Sequence, residues 1–170
     1  MNKKQENKVF VFGITLVATL GGLLFGYDTA VISGAEKALQ AYFHTSNLIH
    51  GITTSSALIG CIIGGSVSGV FASKLGRRKS LQVASVLFFL SALGSGYPEF
   101  LFFKQGSASL DVLIAFNIYR IMGGIGVGLA SAISPMYIAE IAPADIRGKL
   151  VSWNQFAIIF GMLVVYFVNY

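Results

Sequence analysis

The sequence predicts an all-α fold, a polytopic membrane helix bundle of five transmembrane helices, and three observations predict it. Of 170 residues, 55% are hydrophobic and only 11% are charged, against roughly 25% charged in soluble domains. Mean hydropathy is +0.74, too apolar for a chain of this size to leave a wettable exterior. The apolar residues also gather into five runs, each long enough to cross a hydrocarbon core of about 30 Å. Such a chain takes lipid rather than water as its main solvent. A soluble enzyme, a nucleic-acid-binding domain and a disordered tail are thereby excluded.

The first run, 9–31, stands behind Lys3, Lys4 and Lys8 like a secretory signal. It is too long for a signal core and no small-x-small cleavage site follows, so it is expected to remain as a helix. The second, 52–73, contains Gly60/Gly64 and Gly65/Gly69. Gly22/Gly26 in the first run and Gly124/Gly128 in the fourth repeat the same four-residue spacing. Small residues so placed give flat helix faces, which let helices approach closely in lipid. Cys61, the one cysteine, lies in the apolar setting LIGCIIGG and reads as a small core residue without a disulfide partner. The third and fifth runs, 81–97 and 150–170, are the shortest. The fourth, 112–138, holds Gly123-Gly124-Ile125-Gly126-Val127-Gly128. A dinucleotide loop read from Gly124 needs glycine where Leu129 stands, and no strand precedes it. His44 and His50 have no companions at ligand spacing, so both read as surface residues and no metal is expected. No nucleophile–base arrangement is visible and no cofactor is implied, so the chain is not expected to be an enzyme.

The loops sort by charge. One side of the predicted bundle holds Lys3, Lys4, Lys8, Lys74, Arg77, Arg78, Lys79, Arg147 and Lys149 against Glu6, Glu140 and Asp145, a net +6. The other holds Lys37 and Lys104 against Glu36, Glu99 and Asp111, a net −1. Lys and Arg collect on the cytoplasmic side, which puts the N-terminus in the cytoplasm and Tyr170 near the outer face. The overall +5 is therefore a topology signal, and nucleic acid is not an expected partner. The partner is the lipid bilayer. An odd number of spans, with the last ending at Tyr170, reads as an incomplete bundle.

Two charges remain inside the runs. Asp28 lies near the end of the first and Arg120 about a third into the fourth. An ionisable group in hydrocarbon costs at least about 2.5–3.5 kcal/mol, so such groups pair or serve a pathway. Both fall in the predicted outer half of the bilayer, so they can meet. The alternative is that one or both reach out to the headgroups. A carboxylate beside a guanidinium keeps its charge, and one left alone in apolar surroundings takes a proton. A conformational change that separates such a pair therefore moves a proton.

The residues also carry a resemblance. Arg120 opens R-x-x-x-G-x-G-x-G, which continues through Ser134-Pro135-Met136-Tyr137-Ile138-Ala139-Glu140 to Pro143, Arg147-Gly148 and Gln155. The turn G-x-x-x-S-K-L-G-R-R-K begins at Gly69, and Gly21-Gly22-Leu23-Leu24-Phe25-Gly26-Tyr27-Asp28 lies in the first run. Together these resemble the sugar porter family of the major facilitator superfamily, over most of the chain except its first few residues and the loop 97–111. The resemblance implies five helices of a twelve-helix fold, with 1–170 a truncated amino-terminal bundle. It implies proton-coupled transport of a monosaccharide, a xylose-like pentose or hexose, across the cell inner membrane. Asp28 would be the proton-coupling acid and Arg120 its partner, while Phe25 and Gln155 would face the sugar. Arg77, Arg78, Glu140 and Arg147 would form the cytoplasmic gate network. Ser73 replaces the acidic residue usual in the loop motif. Met162 stands where a xylose-carrying member has a sugar-contacting glutamine, and a thioether offers no paired donor and acceptor. A missing carboxyl-terminal half is the further partner implied. The alternative is a non-transporting membrane fragment from a truncated or interrupted reading frame.

Overall fold

The computed structural model describes residues 3–98 and 110–169, with side chains from residue 11 onward. Among the described residues every regular element is an α-helix: α1 (Lys3–Phe43), α2 (Asn47–Leu75), α3 (Arg77–Gly96), α4 (Leu110–Ile141) and α5 (Arg147–Asn169). Glu99 and Lys104, used in the charge count, and Tyr170 lie outside the described residues.

The helices outrun the apolar segments at most ends. Hydropathy marks where lipid begins, whereas a helix continues for as long as its residues favour it. Past Val31, α1 reads ISGAEKALQAYF, a stretch rich in good helix formers, and it stops only where His44 takes a φ of 48°. Asp28 is consequently well inside α1, not near its end. Between α2 and α3 the chain reverses at Gly76, whose φ is 80°. Gly76 thus caps both helices, and its carbonyl accepts from the Ser80 amide at 3.1 Å.

Four of the helices, all but α3, are long and apolar enough to cross a membrane. α3 starts on Arg77-Arg78-Lys79 and carries Ser80, Gln82, Ser85, Ser91 and Ser95, which dilutes its hydropathy. Its polar groups are largely served within the protein: the buried Ser80 hydroxyl donates to Gly76 O at 2.9 Å, and that of Ser91 to Tyr119 O of α4 at 2.6 Å.

α4 is the hub. It packs against all four other helices, and its buried residues run from Val112 to Ile138 around the whole circumference. Leu129 and Ile133, both 0% exposed, centre a cluster with Ala72 of α2 and Ala84 of α3. Glycine governs how close the helices come. A methyl group on Gly60 or Gly64 would strike the backbone of Ile121 or Ile125, and one on Gly124 or Gly128 that of Ala57 or Cys61. Gly26 and Gly161 likewise meet the backbones of Ile158 and Leu23, joining α1 to α5. The expected face Gly65/Gly69 packs on no described residue: none lies within 4 Å of where a Cβ on either would be. Gly64 and Gly65 are neighbours in sequence, about 100° apart on the helix, and only one faces α4.

Candidate functional site

The two charges that hydropathy could not absorb are brought together. Arg120 projects from α4 and Asp28 from α1, and the guanidinium Nη1 donates to Asp28 Oδ1 at 2.6 Å. The Arg120 side chain is 8% exposed and that of Asp28 24%. The pair is therefore largely buried inside the bundle. A charge-assisted hydrogen bond in such a setting is strong, and removing either member strands the other. Asp28 keeps a quarter of its surface accessible, so one member of the pair is open to exchange with whatever fills the space beside it.

At the opposite end of the bundle, Glu140 of α4 and Arg77 of α3 form another ion pair. Glu140 Oε1 accepts from Arg77 Nε at 3.0 Å and lies 2.8 Å from Nη2. Arg77 Nη1 also donates to Ala72 O at 3.1 Å, so this guanidinium ties the α2–α3 turn to the end of α4. Arg78 and Arg147, expected in the same network, form no ion pair among the described residues. Both are exposed, and Arg78 instead lines an apolar groove of about 810 Å³ between α1, α3 and α4. Of the expected four-residue network, the structure brings two together.

Phe25 is half-buried and Gln155 exposed, while Met162, one face along α5 from Gln155, is half-buried. Gln155 makes no side-chain hydrogen bond with a described residue, so its amide is free to meet a ligand.

Sequence reasoning missed three polar side chains. Asn154, 6% exposed, sits where α1, α4 and α5 converge. Ser134 Oγ lies 2.7 Å from Ala18 O and 3.2 Å from Asn154 Oδ1. One hydroxyl donates once; the shorter contact takes the proton, and Ser134 accepts from Asn154 if the amide is turned, an assignment that rests on the network. Asn117 donates to Thr53 Oγ1 at 3.4 Å from the α4 side of the α2 interface. His50, expected at the surface, is 7% exposed; it lies on α2, which packs extensively along α4, with Glu36 of α1 also beside it. Its one legible signal was its three-residue spacing to Thr53, also buried.

The fold and site are those of a bundle of long apolar helices that holds an acid–arginine pair between two of them. The profile of the family described as "Sugar (and other) transporter" matches residues 14–170, and the chain belongs to that family. It is 57% identical to the D-xylose-proton symporter of Escherichia coli (strain K12), over 98% of this chain and 37% of that protein. It is 44% identical to the glucose transport protein of Synechocystis sp. (strain ATCC 27184 / PCC 6803 / Kazusa), over 99% of this chain and 34% of the relative. It superposes with a TM-score of 0.86, at 56% identity, on the structure of the major facilitator superfamily proton:xylose symporter XylE bound to 6-bromo-6-deoxy-D-glucose. That match covers 96% of this chain and 38% of the other. The chain thus spans about 37% of the length of the E. coli relative, the amino-terminal portion.

Proposed function

We propose that this chain is the amino-terminal bundle of a proton-coupled monosaccharide carrier of the inner membrane, with its N-terminus in the cytoplasm. The observation that carries the reading is the buried Asp28–Arg120 pair at 2.6 Å. Asp28 binds and releases the proton, and Arg120 is its ion-pair partner between cycles. Phe25 and Gln155 face a xylose-like sugar. Arg77 and Glu140 latch the cytoplasmic end, with Arg78 and Arg147 joining when the bundle rocks against a carboxyl-terminal half, since rocking exchanges such contacts. The charge asymmetry of the loops supports the orientation.

The second reading is a membrane fragment that does not transport. It is favoured by the coverage of 37%, because alternating access needs two bundles. The test is D-xylose uptake into vesicles bearing an inward proton gradient. The chain is expressed alone and together with the carboxyl-terminal half of the E. coli D-xylose-proton symporter. Uptake that dissipates the gradient and is lost in Asp28→Asn supports the carrier. Uptake indifferent to Asp28→Asn contradicts the role of that residue. Silence in both preparations favours the fragment.

A further inference from the structure

Polar atoms inside a membrane bundle almost always find partners, because nothing else there can satisfy them. Among the described residues four buried side-chain polar atoms have none: His50 Nε2, Ser95 Oγ, Asn117 Oδ1 and Arg120 Nε. Three of these four belong to one line of residues. His50 and Thr53 are three apart on α2, as are Asn117 and Arg120 on α4, so each pair shares a helix face. Asn117 Nδ2 donates across the interface to Thr53 Oγ1 at 3.4 Å, and Thr53 Oγ1 itself donates to Ile49 O at 3.0 Å. The line begins at Glu36 of α1, whose Oε1 lies 3.4 Å from His50 Nε2. That distance is within ion-pair range, but the groups are not aligned for a hydrogen bond. Glu36 is exposed and stands about 12 Å along α1 from Asp28, at the end where α1 finishes and α2 and α4 begin. The line ends at the Arg120–Asp28 pair, joined at 2.6 Å.

We infer that Glu36, His50, Thr53 and Asn117 form a hydrated polar thread that admits water and protons from the outer face to the Asp28–Arg120 pair. The outer assignment and the proton role of Asp28 rest on the function proposed above; the water does not. One water between Asn117 Oδ1 and Arg120 Nε accepts from the guanidinium and donates to the amide oxygen, which satisfies both orphans at once. A second, at His50, gives its Nε2 a partner and opens onto solvent beside Glu36. A proton enters at the water beside Glu36 and His50 and moves inward by O–H and N–H exchange along the thread, each group that gives a proton inward receiving one from its outer neighbour, and it ends on Asp28 as Arg120 withdraws. The other charged groups at this end are Lys37 of α1, His44 of the connecting turn and Asp111 of α4, all exposed. No covalent bond is made or broken other than O–H and N–H.

The water is tested on the full chain in liposomes by water-edited solid-state NMR, with the ¹⁵Nε signal of Arg120 identified by its loss in Arg120→Lys. In the parent, magnetisation from water should reach Arg120 Nε at a rate comparable to that of the exposed Arg147. In Asn117→Leu, and separately in His50→Leu, it should arrive about tenfold more slowly, and Asn117→Ser, which keeps a polar group, should restore it. A dry Arg120 Nε in the parent, or one unaffected by both leucine variants, overturns the thread. The proton role is tested by uptake in the completed carrier. If Asp28→Asn abolishes proton-linked uptake, Asn117→Leu should slow it about tenfold, or about 1.4 kcal/mol of barrier, and an unchanged rate overturns that role. Uptake indifferent to Asp28→Asn overturns the carrier reading, and the proton role with it, while the NMR result still decides the water.

Discussion

Replacing Gly64 by alanine should destabilise the bundle, whereas the same change at the adjacent Gly65 should not. The alanine gains helix propensity at either position, up to about 1 kcal/mol in water and less in lipid. At Gly65 a Cβ meets nothing within 4 Å, so that gain stands alone. At Gly64 it falls on the carbonyl of Ile125, which is α4 backbone and cannot rotate aside. The helices must part, and overpacking of this kind costs about 1–3 kcal/mol. Gly60, Gly124 and Gly128 lie on the same seam, so parting at one loosens the contacts of all four. The propensity gain is common to both variants and cancels, so they should differ by the overpacking cost alone, about 1–3 kcal/mol. Unfolding of each in mild micelles by titration with dodecyl sulfate, followed by circular dichroism, measures the difference directly. Coincident curves for Gly64→Ala and Gly65→Ala would refute the close α2–α4 packing.

Two further outcomes follow from the same geometry. Gly76→Ala should cost about 1–2 kcal/mol, because a φ of 80° is left-handed and a side chain there is strained; chemical unfolding would detect it, and a neutral result would mean that the α2–α3 turn takes another conformation. Glu140→Gln should cost only about 0.2–1 kcal/mol of stability, since its partner Arg77 and Glu140 itself are 35% and 47% exposed, and raising the salt concentration should shrink the difference between variant and parent.

The fold was legible because lipid writes a coarse signal. Five apolar runs gave five helices in the right order, and two charges with no place in hydrocarbon gave Asp28 and Arg120 before any contact was visible. The glycine spacings were legible for the same reason at Gly60/Gly64, Gly124/Gly128 and Gly22/Gly26. Spacing alone cannot say which side of a helix meets a neighbour, and Gly65/Gly69 matched the pattern without packing. Helix ends were hidden because hydropathy falls at the headgroups while the helix continues, as in α1 beyond Val31. α2 likewise begins at Asn47, ahead of its apolar run, which puts His50 in a helix although it looked like a loop residue. Asn117 and Asn154 were unreadable for another reason: a lone amide among apolar residues has no periodicity, and its meaning comes entirely from the helix opposite. Arg78 and Arg147 share the basic character of Arg77 but not its contact with Glu140, and both are exposed; charge alone does not say which arginine reaches the carboxylate.

Everything proposed for the carrier depends on α1 and α4 holding Asp28 and Arg120 as one buried unit. A double-mutant cycle with Asp28→Asn, Arg120→Gln and the combined variant, read by unfolding in micelles, tests this most directly. Each single change leaves the other group stranded inside the bundle and should be costly, while the double change strands neither. The double variant should then be more stable than the sum of the singles requires, with a coupling of about 1–3 kcal/mol. Costs that add to within about 0.5 kcal/mol would contradict the buried unit.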